Sequence, residues 1–125
     1  MSELLNKLKQ YGLNYYETEA EQLKAVRMTG SDIKYMKNPS EKVQLISIKK
    51  YPYSIRYIEN PSEKIQLEAC SIEPMSIEHI KHPTLKVIRQ VLATNPKLIK
   101  YIKPDQPEEI LKEILSIMEI SDVLE

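Results

Sequence analysis

The sequence predicts an all-α protein, a right-handed α-solenoid in which short and long helices alternate in a HEAT-like superhelix. The first observation is a repeat, because residues 33–54 are followed directly by a close copy of themselves, residues 55–76. The period is 22 residues, since Pro39 and Pro61 occupy the same place in the two copies. A short fixed period is typical of solenoids. Each copy also carries its own helix-start signals and one long helix with a wide apolar arc.

The repeat extends over nearly the whole chain of 125 residues, which is the size of one domain. We expect residues 1–10, with leucines at helical spacing behind Ser2, to form an amphipathic helix that caps the stack. Fainter copies lie on both sides of the two clear ones. The predicted repeats span about residues 11–32, 33–54, 55–76, 77–98 and 99–122.

Each copy is expected to begin with a short helix. Apolar residues three positions apart define its inner face, and a short polar side chain precedes them as the N-cap. That helix must end early, because the residue before a proline is driven out of the α region. In the two clear copies the signals are Asp32 before Ile33 and Met36, and Ser54 before Ile55 and Ile58.

A longer helix is predicted to follow in each copy. Asn38, Pro39 and Glu41 match an N-cap, a first helical residue and a carboxylate three residues after the cap. The same pattern begins at Asn60, and His82 takes the place of the asparagine in the next copy. Each long helix is followed by a helix-breaking residue in register: Gly30, Pro52, Pro74 and Pro96.

The long helices need neighbours on both sides. Val43, Ser47 and Ile48 spread over a wide arc of one such helix, and a helix of that kind must be covered by more than one partner. A glutamine recurs near the centre of the arc, where a polar side chain has to find hydrogen-bond partners. We expect these amides to bind the turn of the neighbouring copy: Gln22, Gln44 and Gln66.

The last copy departs from the pattern. About two extra residues lie within residues 103–107, before a helix predicted over residues 108–120, and Ser121 resembles the cap of an unfinished copy. In this register no further copy covers the apolar side of the helix, so a homodimer is predicted to form through it. The alternative is that the insertion turns this side back onto the third copy and leaves a capped monomer. The predicted self-association residues are Ile110, Ile114 and Ile117.

Composition narrows the classes of partner and compartment. Eighteen basic and eighteen acidic residues cancel, so no overall field directs the protein to nucleic acid or to an anionic membrane. No apolar run approaches the length of about 18 residues that spans a bilayer. The single Cys70 and the lack of a signal-peptide pattern favour the reducing cytosol.

The repeat unit also resembles known sequences. Its pattern, Ile-Lys/Arg-Tyr-Ile/Met-x-Asn-Pro-Ser-Glu-Lys-Val/Ile-Gln-Leu, is similar to short helical repeats of uncharacterised bacteriophage and giant-virus proteins. It is more distantly similar to leucine-rich-repeat variants, which alternate a short and a long helix around an Asn-Pro. The resemblance is strong over residues 33–76 and weaker outside. It implies an α-solenoid used as an interaction surface, made by a phage or mobile element, that binds and inhibits a host defence protein in the host cytosol.

The best candidates for binding a partner lie on the short helices. One aromatic side chain per copy, usually preceded by a cation, forms a column that lines one face of the predicted solenoid. Tyrosine and arginine are enriched among the residues that dominate protein interfaces. The competing interpretation is that the rings only pack over adjacent short helices. The predicted partner-binding residues are Lys34, Tyr35, Arg56, Tyr57, His79, Lys100 and Tyr101.

Other kinds of chemistry find little support in the sequence. Cys70, His79 and His82 carry metal-ligating groups, but they fall in a core column, the aromatic column and the helix-start column, so no metal or other cofactor is expected. No catalytic carboxylate pair or activated nucleophile stands out, so an enzyme is not expected. The predicted function is a non-enzymatic protein-binding module. The alternative is a nucleic-acid-binding repeat protein that uses the lysine and tyrosine column to contact phosphates and stack bases.

Overall fold

The computed structural model describes Glu3, Gln10, Tyr16 and residues 18–103 and 105–124. Over these residues the protein is helical, and no β-strand occurs among them, which confirms the predicted all-α class. α-Helices and 3₁₀ helices (η) alternate. Their order is α1 (Glu19–Met28), η1 (Gly30–Tyr35), α2 (Glu41–Lys50), η2 (Pro52–Tyr57), α3 (Glu63–Ile72), η3 (Pro74–His79), α4 (Leu85–Thr94), η4 (Pro96–Tyr101) and α5 (Glu108–Leu124).

The sequence period is also a period of the backbone. Helices α1 to α4 each contain 10 residues and begin 22 residues apart, and η1 to η4 each contain 6 residues. One extended residue ends each α-helix and leads into the next 3₁₀ helix: Thr29, Tyr51, Glu73 and Asn95. Each copy is therefore an α-helix followed, after this single residue, by a 3₁₀ helix.

The α-helices begin after the proline, later than predicted. Ser40 is the N-cap of α2, and its Oγ accepts a hydrogen bond from the N–H of Val43 at 3.3 Å. Ser62 and Thr84 cap α3 and α4 in the same way. The predicted cap at Asn38 was wrong, because the serine two residues later is an equally good cap and satisfies the third N–H of the helix.

The asparagine of the Asn-Pro pair has a different role. Asn38 and Asn60 have φ angles of 50° and 51°, and among the described residues they are the non-glycine positions with positive φ. Asparagine enters this left-handed region more easily than other residues with a side chain. His82, which was also predicted as a cap, occupies the corresponding corner without a positive φ. The Asn-Pro pair thus turns the chain between a 3₁₀ helix and the next α-helix.

The short helices are 3₁₀ helices that begin earlier than predicted. Their first residues are the glycine and the prolines that were expected only to end the long helices. Asp32 and Ser54, which were predicted as N-caps, lie inside η1 and η2. A 3₁₀ helix has three residues per turn, so side chains three apart share a face. Ile55 and Ile58 are accordingly 1% and 7% exposed.

The structure divides into two compact units between Asn60 and Pro61. In the first unit α1 packs against α2, η1 packs against both, and η2 packs against α2 and η1. The predicted wide arc of α2 is confirmed, because Val43, Ser47 and Ile48 are fully buried. The other buried residues described in this unit are Tyr16, Gln22, Val26, Gly30, Ile33, Ser54, Ile55 and Ile58.

In the second unit α3 packs against α4, and η3 packs against both α-helices and against η4. Helix α5 packs against α4, where Arg89 Nη2 lies 2.6 Å from Glu113 Oε1. The apolar core takes one set of residues from the α-helices and one from the 3₁₀ helices. Its described members are Ile65, Ala69, Cys70, Ile77, Ile80, Val87, Ile88, Val91, Leu92, Leu98 and Ile114.

The glutamine column bonds to backbone groups. Gln66 Nε2 donates to the carbonyl oxygen of Pro61 at 3.0 Å, and Gln66 Oε1 accepts from the N–H of Thr84 at 3.0 Å. Because Thr84 caps the helix of the next copy, this amide joins two copies as predicted. Gln22 and Gln44 donate to carbonyls that lie six and five residues earlier in the chain.

The two ends of the chain differ from the middle. The predicted helix over residues 1–10 and residues 11–15 of the first copy lie outside the described residues, apart from Glu3 and Gln10. Helix α5 begins at Glu108 as predicted, but it continues through Ser121, so the predicted cap there is wrong. A serine alone does not end a helix when no glycine or proline follows it. Within the part of the chain that is described, no helix combines the length and apolar character needed to cross a membrane.

Candidate partner-binding surface

The predicted partner-binding residues occupy the last two positions of the 3₁₀ helices. In a six-residue 3₁₀ helix the fourth residue faces the core, as Ile33 and Ile55 do. The fifth and sixth residues then lie on the other two sides of the helix, because each turn takes three residues. The fifth residue is exposed and the sixth is half-buried at all four positions. The pairs are Lys34 with Tyr35, Arg56 with Tyr57, Glu78 with His79, and Lys100 with Tyr101.

In the first unit four of these residues form one cluster, which we call the cation–tyrosine cluster: Lys34, Tyr35, Arg56 and Tyr57. The Lys34 Nζ lies 5.1 Å from the centroid of the Tyr35 ring and 5.7 Å from that of the Tyr57 ring. The Arg56 Cζ lies 4.7 Å from the Tyr57 centroid, and Arg56 Nη2 donates a hydrogen bond to Tyr57 Oη. Since η1 packs against η2, the contact between Lys34 and Tyr57 links two successive copies.

The charges of this cluster are exposed to solvent. Lys34 and Arg56 are both exposed, and neither forms an ion pair with another described residue. The hydrogen bond from Arg56 to the Tyr57 hydroxyl raises the pKa of the guanidinium above its usual value, because it favours the charged form. Cations at these distances are attracted to ring faces by the ring quadrupole, which favours this orientation of the side chains without neutralising their charges.

A groove adjoins the cluster, and we call it the Asn38 groove. It has a volume of about 480 Å³, and Tyr57 belongs to both the groove and the cluster. Lys37 and Glu59 are exposed charged residues on its lining, whereas Ile58 is buried. The full lining is Met36, Lys37, Asn38, Pro39, Gln44, Tyr57, Ile58 and Glu59. The groove therefore lies between the turn that contains Asn38 and Pro39 and the end of η2, where Ile58 and Glu59 follow Tyr57.

Sequence reasoning missed the groove residues. Asn38 was interpreted as a helix cap, which placed it in the first turn of a helix instead of at a left-handed corner. A signal was available, because a charged residue precedes the Asn-Pro pair in both clear copies, as Lys37 and Glu59. Neither charge has a role in capping the α-helix that starts four residues later.

In the second unit the corresponding surface is chemically different. The Lys100 Nζ lies 5.2 Å from the centroid of the Tyr101 ring, which repeats the pairing seen in the first unit. η3 and η4 also pack against each other. However, η3 ends with Glu78 and His79, so one cation and one tyrosine of the first unit are replaced by an acid and a histidine.

The three residues considered as metal ligands, Cys70, His79 and His82, differ in their exposure to solvent. Cys70 is 2% exposed, and burial raises the pKa of its thiol to about 12, so the thiolate required for metal binding or nucleophilic attack is not populated near neutral pH. The predicted core position of Cys70 is confirmed. His79 is half-buried at the end of η3 and His82 is exposed in the following turn. Within the described residues no group of three His, Cys, Asp or Glu side chains is arranged to hold a metal ion.

The predicted self-association residues lie on α5 in unequal environments. Ile114 is 7% exposed, so it packs inside its own chain, and Ile110 and Ile117 are half-buried. Among the side chains of this helix that the structure describes, the exposed apolar ones are Leu111 and Leu115, at 38% and 62%. A contact made by this helix with another molecule can therefore use the two leucines more readily than Ile114.

Comparison of the chain with protein-family models, with curated proteins and with solved structures found no match. The function of the cation–tyrosine cluster and the Asn38 groove therefore has to be inferred from their own geometry and charge.

Proposed function

We propose that this protein is a non-enzymatic protein-binding module whose partner contacts the exposed ends of the 3₁₀ helices. The observation that supports the proposal is the cation–tyrosine cluster, in which Lys34 and Arg56 lie over tyrosine rings while their charges face solvent. Tyrosine and arginine are the residue types that often dominate binding energy at protein interfaces. In the right-handed α-solenoid that we include in the proposal, successive copies present such ends along one face.

The competing interpretation is that the rings only pack the 3₁₀ helices together. Tyr35 and Tyr57 are half-buried, which is consistent with both packing and partner binding, because an aromatic ring can pack on one side and contact a partner on the other. Packing accounts for the contact between Lys34 and the Tyr57 ring, but it gives no role to the solvent-exposed charges themselves, since exposed charges contribute little to folding stability. The pairing of a cation with a tyrosine on both η1 and η2 therefore favours binding.

The test is affinity capture of a partner from host lysate with quantification by mass spectrometry. We expect Tyr57→Ala to reduce the captured partner by about tenfold or more, which corresponds to about 1.4 kcal/mol of binding free energy. Tyr101→Ala is expected to act in the same direction. The matched control is Tyr51→Ala, which removes a tyrosine that is 40% exposed at the end of α2 and lies outside the cluster.

Thermal unfolding separates binding from folding in these variants. Truncation of a buried aromatic residue typically costs about 3–5 kcal/mol of stability, whereas we expect a much smaller loss for Tyr57→Ala. A loss of that size would show that the ring belongs to the core, and capture that is equal for Tyr57→Ala and Tyr51→Ala would reject the proposed surface.

A further inference from the structure

We propose that the partner presents an acidic, extended protein segment to the cation–tyrosine cluster and the Asn38 groove of the first unit. This inference rests on the proposed function and specifies the chemistry that the surface recognises. The inference is supported by three exposed cations, Lys34, Lys37 and Arg56, which form no ion pair with any described residue. Their charges are therefore available to a ligand.

The cluster has the donors that a carboxylate requires. The Arg56 guanidinium can offer a planar pair of N–H donors, which matches the two oxygens of a carboxylate. Tyr57 Oη accepts a hydrogen bond from Arg56, so its own hydrogen can be donated to an incoming acceptor. Lys34 Nζ lies over the rings of both tyrosines and supplies a further positive charge beside them. Arg56 and the Tyr57 hydroxyl can thus both donate to one carboxylate, and Lys34 adds a second positive charge near the same ring.

The adjoining groove gives the rest of a segment a place to bind. Its volume of about 480 Å³ falls within the range of ligand sites, which is roughly 300–1,000 Å³. Tyr57 lies in both features, so a chain anchored at the cluster continues into the groove without a gap. Lys37 extends the positive charge into the groove, and the Asn38 side chain is exposed and able to pair with a peptide group.

The same features oppose nucleic acid as the occupant. Base stacking needs a free ring face, and a cation already lies over a face of each of the Tyr35 and Tyr57 rings, which leaves less ring surface for bases. Glu59 lines the groove next to Lys37, and a carboxylate there repels a continuous phosphate backbone while a peptide can place a neutral or basic residue against it. The formal net charge of zero adds no long-range attraction for nucleic acid.

The experiment measures fluorescence anisotropy of three labelled probes with the full chain. The probes are an eight-residue peptide of Glu and Asp, a matched peptide of Lys and Arg, and a short single-stranded RNA. We expect only the acidic peptide to bind, with an affinity that falls as salt is raised. Arg56→Gln is expected to weaken binding about tenfold, and Arg27→Gln is the matched control, since Arg27 is an exposed arginine on α1 of the same unit.

Each outcome decides the inference. Tighter binding of the RNA, equal binding of the basic peptide, no binding of the acidic peptide, or equal effects of Arg56→Gln and Arg27→Gln would overturn it. Lys34→Gln provides a second variant, and circular dichroism checks that every variant is folded. The acidic peptide is also added as a competitor in the capture experiment. If capture depends on Tyr57 but the peptide does not compete, the proposed function stands and the acidic class fails; if capture does not depend on Tyr57, the proposed function itself fails.

Discussion

The first and second units use the same helical plan with different outer residues. The inward position hardly varies in η1, η2 and η3, because Ile33, Ile55 and Ile77 are each 1% exposed, whereas Ile99 of η4 is half-buried. The outer ends change from two cation–tyrosine pairs in the first unit to one such pair and one acid–histidine pair in the second. The fold accepts either composition at these ends. The proposed partner recognition uses the first unit, where the cations and tyrosines are concentrated.

The units also differ at the junction between a 3₁₀ helix and the α-helix packed on it. In the first unit Ser47 Oγ donates a hydrogen bond of 2.7 Å to the carbonyl oxygen of Gly30. The same register positions in the second unit hold Val91 and Pro74, where no hydroxyl is present. A Cβ added to Gly30 would lie 2.7 Å from the carbonyl oxygen of Ser47. The close approach of α2 to η1 at this junction therefore requires a residue without a side chain at Gly30.

Gly30→Ala tests this difference, and among the substitutions that compare equivalent positions of the two units it has the largest expected effect on stability. Replacing glycine usually stabilises a protein by about 0.4–1 kcal/mol through the unfolded chain. Here the new methyl meets a backbone oxygen, and overpacking of this kind costs about 1–3 kcal/mol, so we expect a net loss. Pro74→Ala at the same register of the second unit should cost less than Gly30→Ala, since it creates no clash. Urea denaturation followed by circular dichroism measures both, and a higher midpoint for Gly30→Ala would contradict the close approach.

The turns that follow the 3₁₀ helices also differ between the two units, and we expect a smaller effect on stability from substitutions there. Asn38 has a φ of 50°, whereas His82 at the corresponding corner has no positive φ. We expect Asn38→Ala to lose about 1 kcal/mol and Asn38→Gly to lose almost nothing, because only the alanine is strained in the left-handed region. At His82 the order should reverse, with glycine less stable than alanine. Thermal unfolding of the four variants checks this, and the same order at both corners would show that the left-handed turn is not what Asn38 supplies.

The helical class and the period could be predicted from sequence because they depend on many residues at once. Pro39 and Pro61 occupy the same place in successive copies, and the distance between them in the sequence gives the length of a copy. The wide apolar arcs correctly identified buried residues such as Val43 and Cys70. The boundaries were less predictable. Asparagine and serine are both good N-caps, and Asn-Pro-Ser offers both within three residues, so sequence alone did not show that Ser40 is the cap.

The candidate site was predictable in part. The column that contains Tyr35 and Tyr57 follows directly from the period, and the structure places these residues at equivalent positions with the preceding cations beside them. The sequence could not show that Lys34 also reaches the ring of the next copy, because that contact depends on how η1 packs against η2. The Asn38 groove could not be predicted from the sequence for the same reason, since it is formed by two turns 22 residues apart.

The C-terminal helix extends the comparison to assembly, where a surface substitution is expected to have the smallest effect on stability. In the second unit α5 turns one side to α4, with Ile114 buried and Arg89 bonded to Glu113, while Leu111 and Leu115 remain exposed. The predicted homodimer stays a prediction, and Leu111 and Leu115 are described exposed side chains of α5 that its interface can use.

Light scattering on Leu115→Glu and Ile114→Glu distinguishes the two sides of this helix. We expect Leu115→Glu to convert a dimer into a monomer with an almost unchanged melting temperature, because substitutions on a surface usually shift stability by less than about 0.5 kcal/mol. Ile114→Glu should instead lower the melting temperature strongly, because it places a charge among buried apolar groups. A monomeric wild type would reject the dimer, and a dimer that survives Leu115→Glu would move the interface away from α5. In either case the loss of stability in Ile114→Glu reports separately that this residue holds the helix to its own chain.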